Sequence, residues 1–219
     1  MKIHQDFILL ILNCKKYKYK ALKQKNSWLK NIPNNLIYFH IIGEETLTND
    51  FKFDNEEQVL YVRTADDYNN LPKKMMMAYY AINNTYDFKY VFKTDDDEKL
   101  IYNKFFDKLI GQFLCNTQIN YGGFIVNIKN DHYSTHHLLH PELPPNLPIR
   151  KTIYCSGRFY FMSINAVKDI LNKKKLIENE YFEDYAIGFY MDDIYKENML
   201  YIEHHAYLIE DNDYNGYNI

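Results

Sequence analysis

The chain reads as an α/β protein, a layered sandwich around a mostly parallel central sheet. Three observations predict this. Apolar runs the length of a buried strand recur at 7–12, 36–42 and 88–94. Helix-period segments alternate with them through the first two thirds of the chain, the pattern that parallel crossover units require. And Tyr90-Val91-Phe92-Lys93-Thr94 passes directly into Asp95-Asp96-Asp97. That is a buried strand whose carboxyl end opens into an acidic turn, and ligands in open α/β sheets bind beyond the carboxyl ends of the strands.

The elements follow in order. Strand 7–12 leads into a Lys-rich helix reaching about residue 30, with Ala21, Leu22, Trp28 and Leu29 as its buried positions. Pro33-Asn34-Asn35 ends it. Strand 36–42 stops at Gly43-Glu44-Glu45, and the polar stretch 44–58 reads as a loop or an irregular region. A short strand at 59–62 precedes a helix over 66–83, in which Leu71, Met75, Ala78, Tyr79 and Ile82 recur at helical spacing. Its Met run fits core packing. After strand 88–94 comes helix 102–115, with Phe105, Phe106, Leu109, Ile110, Phe113 and Leu114 on its apolar face. A strand lies within 119–128, bent or closely approached at Gly122-Gly123. Residues 130–150, with His132, His136, His137, His140 and several prolines, form a loop whose histidine spacing matches no common metal site. A strand over 153–163, interrupted at Ser156-Gly157, leads to helix 164–174, periodic in Ala166, Val167, Ile170 and Leu171. Glu183-Asp184 opens an apolar helix over 185–191. A last strand, 199–208, carries His204 and His205 on opposite faces, and 210–219 is a polar tail. Residues 1–209 are expected to form one domain.

Composition narrows the function classes. The chain has 219 residues, 47% hydrophobic and 25% charged, which is ordinary for a soluble globular protein. A formal net charge of −3 argues against a general nucleic-acid binder. Cys14, Cys115 and Cys155 are far apart and lack CxxC spacing, which favours neither a disulfide framework nor a zinc site and suggests a reducing compartment. The 7–12 run is too short to span a bilayer, and Asp6 before it disfavours a signal peptide. The expectation is a cytoplasmic or otherwise soluble protein.

Three adjacent carboxylates repel one another unless solvated or neutralised. A hard divalent cation that is itself bound to a phosphate would neutralise them. The alternative is a solvated turn in which Asp97 caps the following helix. Four further motifs accompany the acidic turn. One is Asp66-Asp67-Tyr68-Asn69-Asn70-Leu71-Pro72-Lys73-Lys74. The others are Ser156-Gly157-Arg158-Phe159-Tyr160-Phe161-Met162-Ser163, Glu183-Asp184-Tyr185-Ala186-Ile187-Gly188 and the His204-His205 pair.

In this order and placement the motifs resemble the β-1,3-galactosyltransferase and Fringe-like glycosyltransferases of the GT-A fold. That family carries Asp-x-Tyr-x-Asn-Leu-x-x-Lys, matched by Asp66, Tyr68, Asn70, Leu71 and Lys74, and Lys-Thr-Asp-Asp-Asp, matched by residues 93–97. Its Ser-Gly-x-x-Tyr-x-x-Ser matches Ser156, Gly157, Tyr160 and Ser163, and its Glu-Asp-Val-x-x-Gly matches Glu183, Asp184 and Gly188. An Arg-x-Thr-Trp pattern is echoed by Lys25-Asn26-Ser27-Trp28. The chain departs from the family at Lys25 and Ser27, at Lys151-Thr152 in place of Tyr-Pro, and at Tyr185 in place of Val.

The resemblance implies a GT-A-type, Rossmann-like α/β/α sandwich. It implies a metal-dependent, inverting transferase that moves a hexose or N-acetylhexosamine from a UDP-sugar to a glycan or glycoprotein hydroxyl. Mn²⁺ or Mg²⁺ would be held by Asp97, with Asp95 toward the ribose or a metal-bound water and one of His204 and His205 completing the set. Asp184 is implied as general base, with helix capping as its alternative role. Asn13 and Cys14 would lie near the uracil and ribose. Lys25, Asp66, Lys74, Asp96, Gly157 and Glu183 would complete the donor site. Two rivals stand beside this reading. One is a nucleotidyltransferase that forms sugar nucleotides, against which the glycine-free Asn13-Cys14-Lys15-Lys16 counts. The other is a non-catalytic binding domain on a transferase scaffold.

Overall fold

Strand β1 (Phe7–Leu12) is apolar throughout because both of its faces are covered. Successive side chains of a strand point to opposite faces. Ile8 and Leu10 therefore join one core, with Met75, Met76, Tyr79 and Ile82. Phe7, Leu9 and Ile11 join the other, with Trp28, Phe106 and Phe113. Burying each such side chain contributes about 1.5–3 kcal/mol, so β1 pins two helical layers to one sheet. The computed structural model describes residues 1–115 and 118–211. Most of the expected polar tail, from residue 212 on, lies outside the described residues.

Around β1 lie β2 (Leu36–Gly43), β3 (Phe51–Asp54), β4 (Val59–Val62), β5 (Tyr90–Asp95), β6 (Tyr121–Ile128), β7 (Thr152–Ser163) and β8 (Leu200–Tyr201). Among the described residues they form one sheet in the order β8-β6-β7-β5-β1-β2-β4-β3. Strands β5, β1, β2 and β4 are mutually parallel. Strand β7 is antiparallel to both β5 and β6. The helices are α1 (Lys18–Asn26), α2 (Leu71–Thr85), α3 (Phe105–Cys115), α4 (Ile164–Asn172), α5 (Lys174–Ile177) and α6 (Glu183–Tyr190). The first cluster seats α2, α4 and α6 on one face, and the second seats α3 on the other. This is the expected three-layer α/β/α sandwich.

Several expectations are corrected. The 44–58 stretch is not all loop, because β3 pairs antiparallel with β4 and closes the sheet edge. Helix α1 stops at Asn26 and a separate 3₁₀ turn, Trp28–Asn31, buries Trp28 and Leu29, while Leu22 is exposed. The predicted last strand is broken in two by a 3₁₀ turn, His204–Ala206. Of the two readings of Gly122-Gly123, close backbone approach holds: β6 runs on through both, and a Cβ on Gly122 would stand 2.5 Å from the Leu200 carbonyl oxygen.

Candidate functional site

The carboxyl ends of β1 and β5 lie side by side, with Leu12 in register with Asp95. Strand β2 lies on the other side of β1, so the strand order reverses here and leaves a crevice beyond the strand ends. A cleft of about 690 Å³ occupies it. Its walls come from residues 12–14, 66–68, 95–97, 156–158 and 181–184, joined by His136, His140 and Glu142 from the 130–150 loop.

The acidic turn forms one wall. Residues 96–97 turn tightly into a short strand, Glu98–Leu100, which pairs with Leu208–Glu210. Helix α3 begins only at Phe105, so Asp97 caps no helix. Asp96 is buried and its Oδ1 accepts from Lys20 Nζ at 3.1 Å. Burial pushes Asp96 up to about 7, with Lys20 pulling the other way. Asp97 keeps 39% of its side chain exposed, 3.9 Å from Lys20, and Asp95 keeps 33%. Gln24, buried on α1, donates to the carbonyls of Asp95 and Glu98 and so fixes the turn from behind.

The adjoining wall is built on Lys93. This lysine is 2% exposed. It donates to Asp95 Oδ1 at 2.7 Å and to the Gly157 carbonyl, and lies 3.6 Å from Glu183 Oε2. Burial opposes its charge, but Asp95 and Glu183 outweigh burial and hold the ammonium above the ordinary lysine range. Gly157 lies in a bulge, where the β6–β7 register shifts between Cys155 and Tyr160. Its N–H donates to Asp184 Oδ2 at 2.7 Å, so close that a Cβ there would stand 3.2 Å from that oxygen. Asp184 Oδ1 accepts from the Tyr185 N–H at 2.7 Å. The residue at the cap of α6 is Phe182, so neither Glu183 nor Asp184 acts as the N-cap. Glu183 points inward and accepts from the Tyr160 hydroxyl, which lies 2.6 Å from that of Tyr79. Burial pushes Glu183 up to about 7 against the pull of Lys93.

The third wall ends β1. Asn13 is 3% exposed; its Oδ1 accepts from the Cys14 N–H, and its Nδ2 has no partner among the described residues. Lys74, also buried, donates to the Asn13 carbonyl at 3.1 Å and to Asp66 Oδ1 at 2.5 Å. Asp66 accepts in addition from the backbone N–H groups of Gly43 and Lys15. At the rim, the rings of Tyr68 and His140 stack at 4.3 Å.

The family pattern described as Galactosyltransferase matches residues 21–198. The chain belongs to the galactosyltransferase family. It is therefore a glycosyltransferase, and its fold is the GT-A fold of that class. Core-mannan synthase A from Aspergillus fumigatus, in a Mn/GDP form, is similar in structure: 10% identity, TM-score 0.51, 90% of this chain and 73% of that one. A glycosyltransferase involved in glycosylation of the PBCV-1 major capsid covers 91% of this chain and 82% of its own, at 13% identity and TM-score 0.47. The mannosyltransferase Ktr4p of S. cerevisiae covers 90% and 68%, at 11% and 0.47. No curated protein sequence matches the chain.

In this glycosyltransferase the cleft gathers Asn13, Cys14, Asp66, Lys74, Asp95, Asp96, Asp97, Gly157, Glu183 and Asp184. Lys25 is absent from it: its ammonium donates to the Glu57 carbonyl and lies 3.5 Å from the Glu57 carboxylate. His204 and His205 do not line it either. They do not face opposite ways on a strand but sit on the 3₁₀ turn with rings 4.0 Å apart, and His205 Nδ1 lies 3.3 Å from Arg158. Sequence reasoning missed Lys20, Gln24 and the central place of Lys93. Cys14 and Cys155 carry free thiols. No described helix is long and apolar enough to cross a membrane.

Among the described residues no three His, Cys, Asp or Glu side chains converge as a self-sufficient metal site. A hard divalent cation that shares its coordination with substrate phosphates and water needs only one or two carboxylates. The part-exposed oxygens of Asp95 and Asp97 fit that role.

Proposed function

We propose that this transferase moves a hexose or N-acetylhexosamine from a UDP-sugar to a hydroxyl of a glycan or glycoprotein acceptor, with inversion. The observation that supports this best is that the acidic turn and Asp184 line one cleft, their segments joined through Lys93. Asp97 and Asp95 would hold Mn²⁺ or Mg²⁺, which when bound neutralises charge on the departing diphosphate.

The chain's own groups do the rest. Asn13 and Cys14 meet the base and ribose. The unpartnered Asn13 amide is a donor awaiting an acceptor, and burying such a donor unpaired is costly. Asp66 and Lys74 are turned on the protein, so their part is to fix that wall. Asp184, oriented by two N–H groups, takes the proton from the acceptor hydroxyl. The hydroxyl oxygen bonds to the anomeric carbon as the bond to the diphosphate breaks and UDP leaves. A single displacement of this kind turns an α-linked donor into a β-linked product.

Incubation with a panel of sugar nucleotides, Mn²⁺ and simple glycan acceptors tests the reading. UDP release and a β-anomeric proton coupling in the product are expected. Release only from GDP-sugars would overturn the donor class, and an α-linked product would overturn inversion.

A further inference from the structure

Phe182, two residues before Asp184, begins a row of rings along the cleft rim. His136 meets it edge to face at 5.4 Å. His140 lies within 11° of parallel to His136 at 6.1 Å, and it stacks on Tyr68 at 4.3 Å. All four rings line the cleft, as does Glu142.

The 130–150 loop is folded to present this row. The His140 N–H donates to the His136 carbonyl at 2.9 Å, a helical i, i+4 bond that brings the two imidazoles to one side of the turn. The buried Ser134 hydroxyl accepts from the His136 N–H at 3.1 Å, and buried Leu143 anchors the far end. Asn69 Nδ2 donates to the Glu142 carbonyl at 3.1 Å, tying the loop to the segment that carries Tyr68. The Glu142 carboxylate stands 3.5 Å from His140 with 45% of its side chain exposed.

Histidine and tyrosine present an apolar body with a polar tip. A pyranose ring is their complement, with C–H faces bounded by hydroxyls. The C–H groups rest on the negative faces of the rings, while imidazole nitrogens and the Glu142 carboxylate bond the hydroxyls. An extended peptide docks instead by adding a strand to a free edge. The strands that end in the cleft, β1, β5 and β7, each have a neighbour on both sides. On the reading above, the diphosphate goes to Asp95 and Asp97 and the base to Asn13. Phe182 and His136 adjoin Asp184, the group that meets the acceptor hydroxyl. Resting on that reading, we infer that His136 and His140, with Glu142, form the acceptor subsite and that it takes a sugar ring, so the acceptor is a glycan and not a bare polypeptide.

The test uses the full chain, with methyl glycosides of the common hexoses and N-acetylhexosamines as probes. NMR titration measures their affinity for the protein loaded with UDP and Mg²⁺, transfer assays give the acceptor and donor KM, and calorimetry gives UDP affinity. At least one glycoside should bind the wild type and accept sugar. Replacing both rings, His136→Ala with His140→Ala, is expected to weaken that glycoside and raise its KM roughly three- to tenfold, the size of a lost aromatic contact. Donor KM and UDP affinity should stay unchanged, and His140→Phe, which keeps a ring, should keep most of the glycoside affinity. Unchanged glycoside affinity in the double variant overturns the inference, and so does an equal loss of UDP affinity, which would put the rings on the donor. Transfer to a Ser/Thr peptide and to no glycoside, or no glycoside bound by a protein that binds UDP, overturns it too and leaves the donor reading intact. A wild type that binds no UDP, with or without metal, overturns the donor reading itself.

Discussion

The cleft has two acidic segments, and they are built alike from different halves of the sheet. The turn after β5 has Asp96 buried against Lys20 and Asp97 open to the cleft. The start of α6 has Glu183 buried against Lys93 and Tyr160 and Asp184 lining the cleft. In each pair the inward carboxylate anchors the segment by a cation, and the outward one is left for chemistry. They differ in what orients the outward member. Asp184 is gripped by two backbone N–H groups, as the proposed general base would need to fix its direction. Asp97 meets Lys20 only at 3.9 Å and keeps 39% of its side chain exposed, as the cation-holding role proposed above would require. On the proposed reading, this difference would separate a base from a ligand-holding acid within one cleft.

Separate substitution should expose that difference. Asp184→Asn keeps shape and removes the base. Turnover should fall roughly 10²–10⁴-fold, while UDP affinity in Mn²⁺ stays within a few-fold of wild type. Near-normal turnover would end the assignment of Asp184. Asp97→Ala should do the reverse to binding. The affinity gain that Mn²⁺ confers on UDP should shrink by roughly ten- to a hundredfold, so that titrations in Mn²⁺ and in EDTA converge. A full Mn²⁺ effect in Asp97→Ala would move the metal elsewhere.

The sequence made one of these pairs easier to read than the other. The acidic turn stands out because an apolar run, Tyr90-Val91-Phe92, passes within two residues into three carboxylates, and a strand that ends so has few uses. The Glu183-Asp184 segment was marked only by its spacing to Gly188; both acids line the cleft, and the Tyr160 hydroxyl ties Glu183 to the interior. Lys20 was not legible: Lys15, Lys16, Lys18, Lys20, Lys23 and Lys25 look alike in sequence, and only the pitch of α1 turns Lys20 to the acidic turn and Lys25 to Glu57. The histidine pair was misplaced because a short 3₁₀ turn leaves little trace in apolar periodicity, so the stretch read as one strand. β3 was missed for a related reason. It is an edge strand with half-buried residues, and Phe51-Lys52-Phe53-Asp54 sits inside polar sequence.

The buried groups of the two halves should also titrate in opposite senses. Glu183 stands at about 7 in the folded protein against an ordinary 4.5, facing Lys93, Tyr160, Asp184 and Asp95. The folded state therefore keeps a proton that the unfolded chain has released, and stability falls as pH rises from 4.5 to 7. His40 of β2, fully buried, with its Nε2 3.0 Å from Gln24 and Lys25 nearby, is pushed by burial down to about 3. Here the unfolded chain takes a proton that the folded state refuses, so stability falls as pH drops from 6.5 to 3. Each term changes the folding constant by up to about tenfold per pH unit within its window. Relative to wild type, Glu183→Gln should gain thermal stability as pH rises from 4.5 to 7 and gain no more above it. His40→Phe should gain as pH falls through the acid window. Parallel melting curves for variant and wild type across those windows would refute the linkage.

The smallest effect tests how the base segment is seated. Gly188 lies where α6 crosses β7, and a Cβ there would meet Tyr154 Cβ at 2.3 Å and its Cα at 2.7 Å, with backbone involved on both sides. Neither element can yield by side-chain rotation alone, so Gly188→Ala must shift α6 outward. Overpacking of this kind typically costs about 1–3 kcal/mol. The shift would draw Asp184 off the Gly157 N–H, while the acidic turn, held by Lys20 and Gln24 from α1, would stay in place. Gly188→Ala should thus lower turnover and the melting temperature, yet leave Mn²⁺-dependent UDP affinity near wild type. Gly111 of α3 supplies the control, since a Cβ there meets nothing within 4 Å. Gly111→Ala relieves the helix of its most flexible residue and should raise stability by about 0.5–1 kcal/mol without touching the cleft. If Gly188→Ala weakens UDP binding as much as turnover, the two acidic segments move as one body, and the division of labour between them fails.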